Sequence, residues 1–279
     1  MIEMASAILA PGHKERTWMT TPNEALGAPG EGAASDPLPE ALSLVRGASE
    51  AGYQLKILGG LGVRVLCPDF PPRLRAGQDI DLACQGKTRR QVAQYLESAG
   101  CEGDKRFNNL NGDRQMYFTA PSGRPVDVMV DRLTMCHTLD FKSSFGTASP
   151  TLDPADLLLS KLQIVELNAK DAHDIFHLLS GLRVGRDSTR PTIDPDRFGA
   201  VLASDWGWWR TVTGSLAKLP DLLSAQPSLA PPYPRFDALT QAKQLQEVAE
   251  TVPKGLKWKT RSRVGDRMRW YELPEEVDH

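Results

Sequence analysis

The sequence predicts an α+β protein in four stretches: a disordered N-terminal arm (1–36), an α/β domain (37–150), a helical domain (151–252) and a basic β-hairpin tail (253–279). Three patterns carry this reading. Up to about residue 150, helical spacing of apolar residues gives way to short alternating runs broken by Gly and Pro. From Asp153 onward helical spacing dominates. The last basic segment alternates around Gly265-Asp266, a pair suited to a tight turn.

Residues 1–36 are rich in Ala, Gly, Pro, Ser and Thr and show no sustained period. Ser35 or Asp36 then caps a helix over 38–51, with Leu38, Ala41, Leu42, Val45 and Ala48 on one face. Residues 53–58 form a short strand that runs into Gly59-Gly60, followed by a loop bearing Arg73 and Arg75. A second strand covers 79–84, and an amphipathic helix over 88–99 stops at Gly100. Segments 106–109, 114–119 and 124–132 form a meander with turns at Asn111-Gly112 and Ser122-Gly123. Helices are predicted over 153–168, 170–182, 194–203, 206–223 and 235–251, the last two separated by a Pro-rich piece. In the tail, Lys257, Lys259, Arg261 and Arg263 line one side of the first hairpin strand.

Composition narrows the function classes. With 33 Lys+Arg against 35 Asp+Glu there is no chain-wide pull toward nucleic acid or membrane, so any such signal is local. Cys67, Cys84, Cys101 and Cys136 are widely spaced, which fits neither a zinc ribbon nor a disulfide framework. No apolar run approaches the ~20 residues of a membrane span. The expectation is a soluble, cytoplasmic protein.

The chemistry concentrates in the α/β part. Asp79 and Asp81 stand two apart on a strand and so share a face, while Asp127 alternates with Val126 and Val128 on a later strand. Clustered carboxylates repel one another unless a cation compensates, and hard oxygen ligands suit Mg²⁺ held jointly with substrate phosphates. Two glycines ending a strand let backbone N–H groups approach those phosphates. Together these parts suit metal-assisted phosphoryl or nucleotidyl transfer.

With Leu58-Gly-Gly-Leu-Gly62, Gln78-Asp-Ile-Asp-Leu82, Val126-Asp-Val-Met-Val130, Asp156-Leu-Leu-Leu-Ser-Lys-Leu162 and Lys170-Asp-Ala-His-Asp-Ile-Phe176, the sequence resembles the nucleotidyltransferase superfamily of DNA polymerase β-like fold. Within it, the likeness is to AbiEii-type toxins of toxin–antitoxin systems and related nucleotidyltransferase-like proteins. The resemblance spans roughly residues 55–180. It implies a mixed β-sheet flanked by helices and Mg²⁺ (or Mn²⁺) held by Asp79, Asp81 and Asp127. It also implies an NTP whose phosphates rest on Gly59, Gly60 and Lys161. The implied reaction moves a nucleoside monophosphate from the NTP to an acceptor hydroxyl on a small molecule, a protein side chain or an RNA end, releasing pyrophosphate. Leu61 and Gln78 depart from the Ser or Thr usual beside the glycines and before the first Asp. The alternative is a catalytically inactive protein of the same fold that binds nucleotide or RNA.

Other residues have blander readings. Asp131 competes with Asp127 but adjoins Arg132 near the strand end, as a surface salt-bridge partner would. Lys161 fits a solvated lysine as well as a phosphate contact, and Lys170, Asp171 and Asp174 fit an ordinary helix start. His173 and His177 stand i,i+4, with core or surface packing preferred over metal binding. Arg73 and Arg75 could meet a triphosphate or simply be solvated. Trp206, Trp208 and Trp209 anchor the helical core. The basic tail with Trp258, Trp270 and Tyr271 could track an RNA backbone and stack bases, or be an edge hairpin guarded by its cations.

Overall fold

In the computed structural model, the described residues are 36–72, 77–187 and 189–273. Nearly all of the expected arm, and Arg73 and Arg75, lie outside them. Helix α1 (Leu38–Glu50) precedes β1 (Leu55–Ile57), which turns at once into α2 (Gly59–Leu66). After β2 (Ile80–Cys84) come α3 (Arg89–Ser98), β3 (Glu102–Gly103), α4 (Lys105–Asn111), β4 (Gln115–Thr119) and β5 (Pro125–Val130). Five strands form a mixed sheet in the order β1-β2-β5-β4-β3, with β2 and β5 parallel and the other pairs antiparallel.

Alternation divides this sheet cleanly. Ile80, Leu82, Met116, Phe118, Val126, Val128 and Val130 are buried with Ala41, Leu44 and Val45 of α1 and Val92 and Leu96 of α3. The interleaved residues Asp81, Gln115, Tyr117, Asp127 and Met129 are half-buried on the other face. Val, Ile and Phe suit this pleated, half-covered surface.

Beyond the sheet, β6 (Arg132–Thr134) and β7 (Thr138–Asp140) form a small hairpin. Helices α5 (Pro154–Leu162), α6 (Ala169–Gly181), α7 (Pro195–Ser204), α8 (Trp206–Ala225) and α9 (Ala238–Thr251) follow. Their shared core, including Leu157, Phe176, Phe198, Trp208 and Leu245, also takes in Ala83 of β2 and Leu139 of β7. No helix among the described residues is long and apolar enough to cross a membrane.

Several elements differ from expectation, each for a local reason. Residues 106–109 are helical, because the Asp104 carboxylate accepts the Phe107 N–H at 2.8 Å and starts α4. The expected strand 124–132 ends at Val130, where Asp131 turns the chain at φ 61°. The expected helix 153–168 is shorter, since α5 stops at Leu162, and the separately expected helix 170–182 begins as α6 where Asn168 caps the Asp171 N–H at 2.9 Å.

The terminal β-hairpin is corrected outright. Residues Leu256–Val264 form helix α10, which ends at the positive-φ Gly265. Lys and Arg are good helix formers, and the segment has no alternating apolar face to hold a strand against a sheet. Trp258 packs edge-on against Trp209 and donates its indole N–H to the Leu202 carbonyl at 3.1 Å, drawing this turn onto α7 and α8. At about 100° per residue, Lys257 and Arg261 share one helix face while Lys259 and Arg263 share another. The four cations therefore form no single stripe. Arg261 lies over the Trp206 ring at 4.5 Å and donates to the Gly265 and Met268 carbonyls at 2.9 and 2.7 Å. Trp270 donates to Thr211 Oγ1 at 3.0 Å. These two indoles are structural contacts within the fold.

Candidate active site

The acids come together through strand register. The parallel β2–β5 pairing sets Asp81 opposite Asp127, and the antiparallel β4–β5 pairing sets Tyr117 opposite Asp127. The next row on the same face is Ala83, Met129 and Gln115. Gln115 donates its side-chain N–H to Asp127 Oδ1 at 2.6 Å, which fixes that carboxylate's orientation. Asp79 lies just before β2, close enough for its charge to act on both Asp81 and Tyr117.

Gly59 sits directly behind Asp81. It has φ 63°, and a Cβ added there would stand 2.1 Å from Asp81 Oδ2. Only glycine suits both the backbone angle and this approach. The Leu58 N–H donates to the Asp81 carbonyl at 3.0 Å, so the start of α2 is tied to the middle of β2. Leu58 caps α2 without a side-chain hydrogen bond. The first N–H groups of a helix have no partner within it, and α2 presents them beside the carboxylates.

Burial pushes the Asp81 carboxyl up to about 6. Lys161 and Lys170 oppose the rise, while the negative charges of Asp127 and Asp79 add to it. Burial, followed by the same two acids, raises the Tyr117 phenol as well. This face of the sheet is therefore acidic, as a cation-binding face would be.

Lys161 is not a solvated lysine. It is buried on α5, with Nζ 2.8 Å from Asp174 Oδ2 and 3.3 Å from Asp171 Oδ1, both on α6. Burial pulls its pKa down, but Asp174, Asp171 and Asp81 outweigh that and leave it raised. Asp174 in turn stands over Gly60, whose added Cβ would be 3.7 Å from Asp174 Oδ2. Asp171 sits in the first turn of α6, as an ordinary helix start would have it, and with the buried Asp174 it also forms an ion-pair network around Lys161.

The remaining candidates take structural places. Asp131 Oδ1 accepts the Gly86 N–H at 3.0 Å, and Asp131 Oδ2 lies 3.7 Å from Lys142, so it is a turn-holding salt-bridge residue. His173 and His177 stack with centroids 3.8 Å apart, and His177 packs edge-on against Phe70. Of the tryptophans expected in the helical core, Trp206 and Trp208 are buried and Trp209 is half-buried. Asp156, within one of the quoted motifs, is fully buried between Arg197 Nε at 2.7 Å and Ser144 Oγ at 2.8 Å.

Sequence reasoning missed Gln115 and Tyr117. Their alternation with Met116 and Phe118 signalled a solvent-side parity, but the adjacency of β4 to β5 was needed to place them beside Asp127.

The donors are all hard oxygens, which fits Mg²⁺ or Mn²⁺. Among the described residues, no group of three or more His, Cys, Asp or Glu side chains stands ready to hold a metal ion by itself. Two facing carboxylates, completed by phosphate oxygens and water, are nonetheless a usual Mg²⁺ arrangement.

Comparison with known proteins yields no matching family model and no matching curated protein. Among solved structures, the chain is similar to lincomycin-bound lincosamide antibiotic adenylyltransferase LnuA, at 17% identity and TM-score 0.39, covering 53% of this chain and 99% of that one. It is also similar to an antigenic nucleotidyltransferase-like protein from Paracoccidioides brasiliensis, at 15% identity and TM-score 0.38, covering 81% and 97%. A third similarity is to the Cid1 poly(U) polymerase, at 13% identity and TM-score 0.28, covering 59% of this chain and 45% of that one. None of the three is described as a toxin. Likenesses this distant carry no argument about the reaction.

Proposed function

We propose that this protein is a nucleotidyltransferase that moves a nucleoside monophosphate from an NTP to an acceptor hydroxyl and releases pyrophosphate. The observation that carries the reading is the register of Asp81 and Asp127, side by side on parallel strands with the Gly59 bend directly behind Asp81. Asp81 and Asp127 would hold Mg²⁺, with Asp79 at the rim of the same face. When bound, that ion supplies charge neutralisation at the phosphates and aligns them for in-line displacement. Asp127, oriented by Gln115, would accept the proton of the attacking hydroxyl. Gly59 and Gly60, opening α2, would offer backbone N–H groups to the phosphates. Lys161 would act from behind, holding Asp174 over Gly60 and supplying positive charge toward Asp81.

A second reading, a catalytically inactive nucleotide-binding protein of this fold, draws on the commitment of Lys161 to Asp171 and Asp174. One experiment separates them. The protein is incubated with α-labelled NTPs, Mg²⁺ and candidate acceptors, beside an Asp81→Asn/Asp127→Asn variant. Label transfer by the wild type that the variant loses supports the enzyme. Transfer persisting in the variant removes the site assignment, and triphosphate binding without turnover favours the second reading.

A further inference from the structure

A cleft of about 940 Å³ opens from the Gln115 and Met129 row of the acid-bearing face. Gln115 lines it and also holds Asp127, so the cleft begins one hydrogen bond from the candidate catalytic carboxylates. Its volume lies near the upper end of small-molecule pockets, roughly 300–1,000 Å³.

The lining has a definite chemistry. Three arginines, Arg114, Arg132 and Arg269, stand against one acid, Glu272. Arg114 and Arg132 make no ion pair with any described residue. Arg269 lies over the Tyr271 ring at 5.0 Å, and Phe107 supplies a second aromatic wall. Unmatched guanidinium groups suit phosphates, and aromatic faces suit bases.

What lies beyond the cleft decides the size of the ligand. The chain that reaches Arg269 arrives from α10, where Lys257, Lys259, Arg263 and the following Arg267 are exposed. None of these four makes an ion pair with a described residue, and the acid between them, Asp266, is bound by Arg210 in a two-pronged contact at 3.0 Å. A small phosphorylated molecule would leave this surplus unused. A polyanion would neutralise it.

We infer that the Arg114–Arg132–Tyr271 cleft binds the end of a single-stranded nucleic acid as the acceptor, with its backbone running outward past Arg267 toward the Lys259 and Arg263 face of α10. This rests on the nucleotidyltransferase reading. The terminal base stacks between Tyr271 and Phe107, the arginines take the adjoining phosphates, and the terminal hydroxyl points past Gln115 toward Asp127. That oxygen attacks the α-phosphorus of the NTP, its proton passes to Asp127, and the bond to pyrophosphate breaks.

The test is fluorescence anisotropy of the full chain with short labelled single-stranded RNA, single-stranded DNA and a duplex, over a salt series and without NTP. Wild type is compared with Arg114→Ala/Arg132→Ala, Tyr271→Ala, Tyr271→Phe and Asp81→Asn, each checked for unchanged melting. Single strands are expected to bind in preference to duplex. The double arginine variant should lower the slope of log affinity against log salt by about 1.4, at ~0.7 per phosphate contact. Tyr271→Ala should weaken binding about 5- to 150-fold, with recovery in Tyr271→Phe. RNA bound more tightly than DNA identifies RNA as the source through its 2′-hydroxyl, and equal binding leaves the shared single-strand chemistry in place. Asp81→Asn should bind oligonucleotide normally while losing transfer, which separates this proposal from the catalytic one. Absence of oligonucleotide binding, an unchanged salt slope in the arginine variant, or occupancy of the cleft by small phosphorylated ring compounds alone overturns it, whatever the outcome with NTP.

Discussion

The two faces of the five-stranded sheet use the same strands for opposite purposes. On one, Ile80, Leu82, Val126 and Val128 are wholly inaccessible beneath α1 and α3. On the other, one residue away at every step, Asp81, Asp127, Tyr117 and Gln115 are half-buried. The apolar face holds the strands in a fixed register, and that register is what brings Asp81 level with Asp127. Positioning of charge is thus a product of hydrophobic packing on the far side of the same backbone.

The sharpest way to break this comparison is to exchange the acids for isosteres. Asp81→Asn or Asp127→Asn should reduce nucleotidyl transfer at least about 10³-fold, the scale of several kcal/mol of lost metal-assisted charge stabilisation. Asp81→Asn should leave the melting temperature equal or higher, because it removes a carboxylate that burial already disfavours. A fall in stability comparable with a core truncation would show that the two faces are not divided in function.

Phe118→Ala, on the covered face, should act the other way. It should cost about 3–5 kcal/mol in denaturant unfolding, with transfer per folded molecule retained. Lys161→Met tests whether the network beneath the acid face is structural. Removing one partner of a buried ion pair should cost about 3–5 kcal/mol by strict burial. Lys161 is slightly exposed, so the lower end is expected. Adding Asp174→Asn should recover part of the loss.

Gly59→Ala probes the join between the faces. The left-handed backbone alone should cost about 1–2 kcal/mol, and the new methyl must displace Asp81. Activity should therefore fall further than unfolding measurements would account for. The smallest effect is on pH dependence. Between about 4 and 6, native Asp81 keeps a proton that the unfolded chain has given up. The wild type should therefore lose stability relative to Asp81→Asn as pH rises through that window, and then level off. Parallel melting curves of the two proteins from acid to neutral pH check this, and a divergence of the opposite sign would mean that Asp81 is stabilised as the anion.

Much of the fold is legible locally. The helices over 38–51, 88–99, 170–182 and 194–203 appear within a few residues of their expected ends, set by apolar spacing with caps at Asn168 and Asp194. Parity along β4 and β5 is enough to sort their side chains between the two faces, because successive residues of a strand point opposite ways. The tail shows where such reading fails. Alternating cations around a Gly-Asp pair look like a hairpin, yet the tryptophans that decide its conformation find their partners on α7 and α8, far back in the chain.

By itself, the amino-acid order determined which segments are regular, which residues belong to an apolar face, and that glycines and acids occur at strand ends in an order suited to phosphate chemistry. Tertiary structure alone decided that β5 lies beside β2 so that Asp127 meets Asp81, that Lys161 is spent on Asp174, and that Arg269 and Tyr271 return to wall a cleft. The physical reason is range. Dihedral preference, capping and hydrophobic period act over a few residues, whereas strand adjacency, ion-pair choice and the docking of a distant segment depend on the free energy of the whole packed chain.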